Sequence, residues 1–304
     1  MRSGFLLAAA LLAGWPFPAP KPPAGKVTIL LSQESPAYRA AAEGFRSELT
    51  ARGVAVEIDT RAPGIPSAEQ VRQVRSHTPD LILAFGMPAA VVADTAFGTV
   101  PVVAVLLKRA EFARLGQATG VYLEFPVVLE LQWLKVVLPK VRRVGVVYNP
   151  TENAALISHA TSVAAGLGLE LVARKVDSRE RLPDALTSLA NEVEVLWGVA
   201  DTLTLTHETA RSFLLFQFRQ RIPFAGLSDA WVKAGALYAI DRDWSDIGRQ
   251  SAGLAELVLH GKSPGSLEPV PPRKVVLSVN ENTAQSLRLQ VPPAVLRQVR
   301  ELVP

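Results

Sequence analysis

Two stretches of similar design decide the fold: Arg143–Asn153, which reads RVGVVYNPTEN, and Lys26–Pro36, which reads KVTILLSQESP. Each begins with a short run of β-branched residues and leucine, continues into a polar turn that contains proline, and leads into an amphipathic helical pattern. Short apolar runs of this kind indicate strands that are buried on both faces of a parallel sheet. Two strand–turn–helix units therefore predict two α/β lobes.

The second half of the chain repeats the first half in the same order. Besides the opening pair, Pro79–Gly86 matches Glu192–Val199, and Val100–Ala104 matches Ile222–Gly226. Strands that alternate with helices predict right-handed crossovers and a parallel sheet in each half. The expected fold is α/β, with two doubly wound parallel-sheet lobes joined by a hinge.

The pattern also predicts how the chain is divided between the lobes. Residues 25–122 are expected to form the N-terminal lobe, together with part of 241–270, and residues 123–240 the C-terminal lobe. The last segment, 271–304, packs on one of the two lobes, and the sequence leaves open which one. Repeated crossings between the lobes predict a hinged pair and not two domains on a single linker.

The N-terminal 24 residues have the pattern of a secretory signal peptide. Arg2 supplies a positive charge, Phe5–Ala13 is apolar, and small residues and prolines follow in Trp15–Pro23. The apolar run is shorter than the ~20 residues that a membrane-spanning helix requires. We therefore expect residues 1–24 to be cleaved and the protein to be exported, most simply to a periplasm. An uncleaved N-terminal anchor is the alternative.

Composition excludes several classes of function. The formal net charge is only +4 over 304 residues. Lysine and arginine are scattered among aspartate and glutamate, so the chain lacks the basic stripe of a nucleic-acid-binding protein. The sequence contains no cysteine, which excludes disulfides and a cysteine-linked lipid anchor. We expect a monomer that is soluble after signal cleavage and has no nucleic-acid partner.

Motifs of common enzyme sites are incomplete in this sequence. Gly261–Ser263 resembles the end of a phosphate-binding loop, but Glu256 stands where that motif needs glycine. Gly226–Ala230 approaches a nucleophile elbow, but alanine replaces its last glycine. The histidines are widely separated and lack metal-ligand spacing. The sequence therefore predicts a protein that is not an enzyme and that uses no metal or cofactor.

Polar residues instead collect in the turns where predicted strands end, which is the edge at which parallel sheets bind ligands. Asp201, at the start of a predicted long helix, and Asp229, at the start of a short one, are candidates to receive a ligand ammonium group. Helix capping is the alternative for both residues. The candidate contacts are Gln33, Glu34, Gly86, Met87, Tyr122, Tyr148, Asn149, Asp201, Thr202 and Asp229.

Two further features support a ligand site at these turns. The helix that follows Met87 could present free N–H groups to an anion. Tyr122 and Tyr148 could stack on an apolar ligand body, or they could pack in the core. For Trp197, which lies inside a predicted buried strand, core packing is the preferred interpretation.

Several stretches along the chain, clearest from Thr119 to Pro293, together carry a family resemblance. They are TGV at 119–121, LPKVRRVGVVYNP at 138–150, GLGLEL at 166–171, DTL at 201–203, IPFAG at 222–226, VKAGAL at 232–237, DRDWSDIGRQ at 241–250 and VNENTA at 279–284. On these residues the chain resembles the ABC-transporter substrate-binding proteins of the tryptophan/tyrosine-binding type. Those proteins have the type I periplasmic-binding fold.

The resemblance implies an exported receptor that closes its lobes around a small solute, an amino acid or a related organic ion. The receptor would deliver this solute to an ABC permease in the membrane, which works with its ATPase. By position, Asp201 and Asp229 would lie on the second lobe's side of the cleft. Gln33, Glu34 and the turn at Gly86–Pro88 would lie on the first lobe's side.

Departures from the family pattern leave the ligand open. Met87 stands where the family usually has threonine, and Leu107–Arg109 stands where it often reads TDP. Glu124 takes the place of a common aspartate. The basic residues after the Val100–Leu106 strand favour a more anionic ligand. The alternative function is a transport-deficient sensor or envelope interaction protein that reuses the same two-lobed fold.

Overall fold

Two sheets organise the protein in the computed structural model, which describes residues 25–61, 64 and 67–303. The first is five-stranded and the second seven-stranded. The predicted signal peptide, residues 1–24, lies outside the described residues. None of the helices in the described part of the chain has the length and apolar character that a membrane span would need.

The first sheet is entirely parallel, and its strands run in the spatial order β2-β1-β3-β4-β5. The strands are β1 (Gly25–Leu31), β2 (Val56–Thr60), β3 (Leu81–Phe85), β4 (Val102–Leu107) and β5 (Ala118–Tyr122). The connecting helices are α1 (Pro36–Ala51), α2 (Ala68–Ser76) and α3 (Met87–Ala96). Every residue of the central strand β3 is buried, as expected for a strand covered on both faces.

The second sheet has the spatial order β12-β11-β10-β9-β8-β6-β7. Its strands are β6 (Arg143–Tyr148), β7 (Glu170–Lys175), β8 (Val195–Trp197), β9 (Phe224–Gly226), β10 (Tyr238–Arg242), β11 (Val275–Asn280) and β12 (Val299–Val303). The helices from Val127 onward are α4 (Val127–Val137), α5 (Pro150–Gly166), α6 (Leu182–Ser188), α7 (Ala210–Gln220), α8 (Asp229–Lys233), α9 (Trp244–Leu259), α10 (Glu281–Ser286) and α11 (Pro293–Leu296).

Hydrophobic clusters on both faces of each sheet confirm the predicted doubly wound α/β lobes. In the first lobe, α1 and α9 pack on one face of the sheet and α3 packs on the other. In the second lobe, α4 and α5 cover one face, and α6 and α7 cover the other. Successive side chains in a strand point to opposite faces of the sheet, so each strand contributes residues to the clusters on both faces.

Two strands, β11 and β12, depart from the predicted parallel arrangement, because β12 runs parallel to β11 and both run opposite to β10. β11 pairs antiparallel with β10, and Arg242 lies opposite Val275. The chain leaves the second sheet at the end of β10, forms α9 and re-enters beside the point at which it left. A strand that re-enters at this place must run in the opposite direction.

The two segments that follow β10 occupy different lobes: α9, within the stretch 241–270, packs in the first lobe, and the strands after it extend the second sheet. α9 packs against α1 so closely that a Cβ on Gly248 would overlap the carbonyl oxygen of Ala41. Arg52, the residue that follows α1, and Glu256 of α9 form an ion pair at 2.9 Å. After α9 the chain returns to the second lobe, where β11 and β12 extend its sheet.

The prediction of a long helix that starts at Asp201 is wrong, because the helix starts only at Ala210. Residues 201–209 form turns instead. The carboxylate of Asp201 accepts hydrogen bonds from the backbone N–H groups of Leu203, at 2.8 Å, and Thr204. Side chains of this type compete with helical hydrogen bonds by bonding to nearby backbone groups.

Candidate functional site

The second-lobe residues predicted after β6 and β8 lie together in the structure. Asn149 caps α5 by accepting the N–H of Thr151 at 3.0 Å. Its own N–H donates to the Asp201 carboxylate at 2.9 Å. The Glu152 carboxylate accepts the side-chain amide of Asn149 at 2.8 Å and the N–H of Thr202 at 3.0 Å. These bonds hold the turn after β8 against the turn after β6.

The Asp201 carboxylate is occupied by donors from its own lobe. Oδ1 accepts the N–H groups of Leu203 and Thr204, while Oδ2 accepts the N–H of Asn149 and the hydroxyl of Thr204. Burial disfavours the ionised form, but these hydrogen bonds outweigh it and hold the pKa of Asp201 below its ordinary value. In this structure Asp201 organises the turn.

The predicted first-lobe residues lie at the carboxyl ends of β1 and β3. Gly86 has φ +80°, and a Cβ there would overlap the Tyr38 hydroxyl, so this turn needs glycine. Met87 begins α3, whose first turn is capped because the Ser32 hydroxyl accepts the N–H of Ala89 at 2.9 Å. One of the N–H groups expected to face an anion is therefore already bonded.

The remaining predicted residues are dispersed. Gln33 and Glu34 are exposed, and Glu34 forms an ion pair with Arg39 at 2.8 Å. Asp229 forms one with Lys233 at 3.1 Å. Tyr122 and Tyr148 are buried members of the hydrophobic clusters of their lobes. The guanidinium of Arg109 stacks over the ring of Tyr122, 5.7 Å from its centroid.

A pocket that sequence reasoning missed lies at the carboxyl edge of the second sheet. Its cavity volume is about 50 Å³, which is smaller than the ~300–1,000 Å³ typical of small-molecule sites. Its lining comes from α4, β8, β9, β10 and the passage between the lobes: Phe125, Glu130, Trp197, Gly198, Ala225, Gly226, Leu227, Tyr238, Ile240 and Arg242. None of the predicted contacts lines it.

Glu130 is the acidic group of this pocket. The indole N–H of Trp197 donates to its Oε2 at 2.8 Å. Burial raises the pKa of Glu130 to about 7, and the charge of Glu124 acts in the same direction. The Trp197 hydrogen bond and the charge of Arg242 oppose this rise only in part. Near neutral pH the side chain can therefore exist both as an acid and as a carboxylate.

Arg242 is the basic group of the pocket, and it is anchored to the passage between the lobes. Its Nε donates to the carbonyl oxygen of Leu123 at 2.7 Å. The guanidinium lies 5.3 Å from the centroid of the Phe125 ring and 3.5 Å from the Asp241 carboxylate. The pocket thus combines one acid, one guanidinium and several aromatic walls.

Tyr238 completes the polar side of the pocket. It is buried, and burial together with the charge of Glu130 raises the pKa of its phenol well above the ordinary value. The hydroxyl is therefore protonated at physiological pH and is available as a hydrogen-bond donor. Among the described residues, no group of three or more histidine, aspartate or glutamate side chains is arranged to hold a metal ion.

Comparison with known families agrees with this architecture. The sequence model of the ABC transporter substrate binding protein family matches residues 26–303. The chain belongs to this family. The resemblance stated from the sequence motifs is thereby confirmed.

Individual relatives show the same relationship. A curated relative, the tyrosine-binding protein of Clostridioides difficile (strain R20291), is 25% identical over 276 residues, covering 84% of this chain and 79% of its own length. A ligand-free, open substrate-binding protein with adhesive properties from Clostridium difficile superposes with a TM-score of 0.75. It shares 20% sequence identity, and the match covers 92% of this chain and 99% of that one.

A further solved structure is an ABC domain from Streptococcus pneumonia in complex with L-Trp, with a TM-score of 0.60 and 20% identity. The match covers 92% of this chain and 99% of that chain. At this level of identity the two solved structures establish the fold alone. The two-lobed fold of this protein is therefore shared with both solved structures.

Proposed function

We propose that this protein is the exported substrate-binding component of an ABC importer and that it binds a small solute in the cleft between its lobes. The observation that carries the proposal is the pocket that Glu130 and Arg242 line with Phe125, Trp197 and Tyr238. It lies at the carboxyl ends of the parallel strands β8, β9 and β10, where open α/β sheets bind ligands. The chain leaves for the first lobe from this same edge, at Arg242.

The chemistry of the pocket favours an amino acid or a related organic ion. Glu130 and Arg242 carry opposite charges and form no ion pair with each other among the described contacts, so they can meet opposite charges on one ligand. The aromatic walls suit an apolar ligand body. The curated relative is a tyrosine-binding protein, which makes aromatic amino acids the first candidates.

The connections between the lobes support closure around the ligand. The chain crosses after β5, after β10 and before β11, which is the arrangement of a hinged pair. We propose that Gln33, Glu34, Gly86 and Met87 face the ligand from the first lobe. They lie at the carboxyl edge of the first sheet. The chain also crosses to the second lobe from this edge, after β5.

The turn after β8 has a supporting role in this proposal. Asn149, Asp201 and Thr202 hold the second lobe's edge in place through their mutual hydrogen bonds. Tyr148 and Tyr122 support the strand ends from inside the core. Asp229 lies at the start of α8, two residues after the pocket-lining residue Leu227.

A thermal-shift panel of amino acids and small organic anions, followed by calorimetric titration of each hit, tests this function. A ligand at a hundred times its Kd should stabilise the protein by about 2.7 kcal/mol, with a clear rise in Tm. Native mass spectrometry of the freshly purified protein should detect a retained solute. A panel without any binder would contradict the receptor function and favour the sensor or envelope partner.

Export is tested separately. We propose that residues 1–24 are removed as the protein enters the periplasm, where it works with the permease and its ATPase. N-terminal sequencing of the mature protein from a periplasmic fraction should find a start close to residue 25. A full-length chain that remains with the membrane fraction would instead support the uncleaved anchor.

A further inference from the structure

The carboxylates near the edge of the second sheet differ in the number of their oxygens that already have a hydrogen-bond or ion-pair partner. Both oxygens of Asp201 accept hydrogen bonds from its own lobe. Asp229 forms an ion pair with Lys233 and does not line the pocket. Glu130 lines the pocket, and only its Oε2 is bonded, to the Trp197 indole. No described residue donates a hydrogen bond to Oε1 of Glu130.

The surroundings of Glu130 favour a cationic donor at that oxygen. A partly buried carboxylate is costly to ionise unless a positive group pairs with it. Phe125, Trp197 and Tyr238 line the same pocket, and aromatic rings attract cations. Arg242 does not take this place, because its Nε is bonded to the Leu123 carbonyl and it forms an ion pair with a neighbouring carboxylate.

We propose that Glu130 is the specificity-determining residue for a protonated amine of the solute, which it receives through Oε1 while Trp197 holds Oε2. The inference rests on the proposed function, because it names the group of the solute that the second lobe recognises. Glu130 would contact the ligand directly, and Trp197 would act as a positioning residue. If Glu130 has this role, the protein binds solutes that carry the amine more tightly than analogues of the same shape that lack it.

Binding of an amine at Glu130 must depend on pH, because only the carboxylate attracts it. The groups that face Glu130 are Trp197 from β8, Tyr238 and Arg242 from β10, and Glu124 from the passage between the lobes. Burial raises the pKa of Glu130 to about 7. The ionised fraction in the free protein therefore falls from about nine tenths at pH 8 to about one tenth at pH 6. The affinity for the amine should fall about tenfold over this range.

The experiment compares L-tyrosine and L-tryptophan with their desamino analogues, 3-(4-hydroxyphenyl)propanoate and 3-(indol-3-yl)propanoate. Calorimetric titrations at pH 6, 7 and 8 are made with the wild type, Glu130→Gln and Glu170→Gln. At pH 8 the wild type should bind the preferred amino acid about 10- to 100-fold more tightly than its analogue, as expected for a charge-assisted hydrogen bond. This preference should shrink about tenfold at pH 6.

Glu130→Gln should lose both the preference and its pH dependence. The Gln carbonyl can still accept the Trp197 N–H, which leaves its NH₂ group facing the amine, a donor against a donor. Glu170→Gln, an exposed change on β7 of the same lobe, should behave like the wild type. Glu130→Asp keeps the negative charge but moves it away from the ligand, because the side chain is one methylene shorter. This variant should bind the amino acid more weakly and keep the pH dependence.

Two negative outcomes are distinguishable. If Glu130→Gln folds normally by circular dichroism and keeps the wild-type preference and pH profile, Glu130 does not hold the amine, and the receptor function stands. If the wild type binds neither amino acid at any pH, the amino-acid receptor function itself fails, and the assignment of Glu130 fails with it.

Discussion

Replacing Glu130 by glutamine should make the protein more stable at alkaline pH, even without a ligand. Glutamine has almost the same shape and can still accept the Trp197 N–H, but it does not ionise. The wild-type carboxyl must be ionised in a partly buried pocket, which burial opposes. The variant removes that cost and leaves the packing of α4 unchanged.

The magnitude follows from the shift of the pKa of Glu130 from 4.5 to about 7. Below pH 4.5 the carboxyl is protonated in both the folded and the unfolded state, so ionisation costs nothing. As the pH rises towards 7, the unfolded state releases the proton and the folded state keeps it, so stability falls. Above pH 7 the loss is complete, at about 3 kcal/mol. The side chain's residual exposure towards the pocket makes this an upper value.

Urea unfolding at pH 5 and pH 8, followed by circular dichroism, measures this difference. The free energy of unfolding of Glu130→Gln relative to the wild type should rise by up to about 2.5 kcal/mol between the two pH values. Glu170→Gln should show no such rise, because it removes only an exposed carboxylate. An equal difference between Glu130→Gln and the wild type at both pH values would refute the assignment of a raised pKa to Glu130.

Other predictions concern the pocket, the turn after β8 and the contact between α1 and α9. Trp197→Phe removes the indole donor that lowers the pKa of Glu130, so the midpoint of the pH-dependent affinity should move upward; an unmoved midpoint would contradict this positioning role. Asp201→Ala leaves the N–H groups of the turn unpaired and should lower the free energy of unfolding by about 2–3 kcal/mol, measured in urea; unchanged stability would count against its role in the turn. Gly248→Ala should cost about 1–3 kcal/mol by overpacking α9 against α1, whereas Gly166→Ala, with open space around it, should be neutral or slightly stabilising. Equal effects of the two glycine variants would show that the helix contact is not as close as described.

Local sequence was sufficient to predict most elements of the fold. The runs Lys26–Leu31 and Val144–Tyr148 became β1 and β6, because a continuous apolar run suits a strand covered on both faces. At the start of α2, Ser67 and Gln70 form a capping box, which depends only on residues three positions apart in the sequence. The prediction failed at residues 201–209, where the Asp201 side chain bonds to the backbone and builds turns. Hydrophobic periodicity carries no information about such side-chain bonds.

The candidate site also has one part that could be predicted from the sequence and one part that could not. Neighbouring turns could be predicted to meet, since parallel strands end at one edge, and Asn149, Asp201 and Thr202 do lie together. The pocket around Glu130 could not be predicted, because its lining comes from distant segments. In the sequence, Glu130 reads as an ordinary polar position on α4, and Trp197 reads as core.

The sequence by itself determined the α/β class, the two repeated halves and the family, because strand burial, turn residues and motifs are local properties of the chain. Only the tertiary structure decided that the segment after α9 extends the second sheet and that β11 runs antiparallel to β10. It also decided that Trp197 directs its N–H at Glu130. These depend on which distant surfaces meet, and the pKa of Glu130 depends on how much water that meeting excludes.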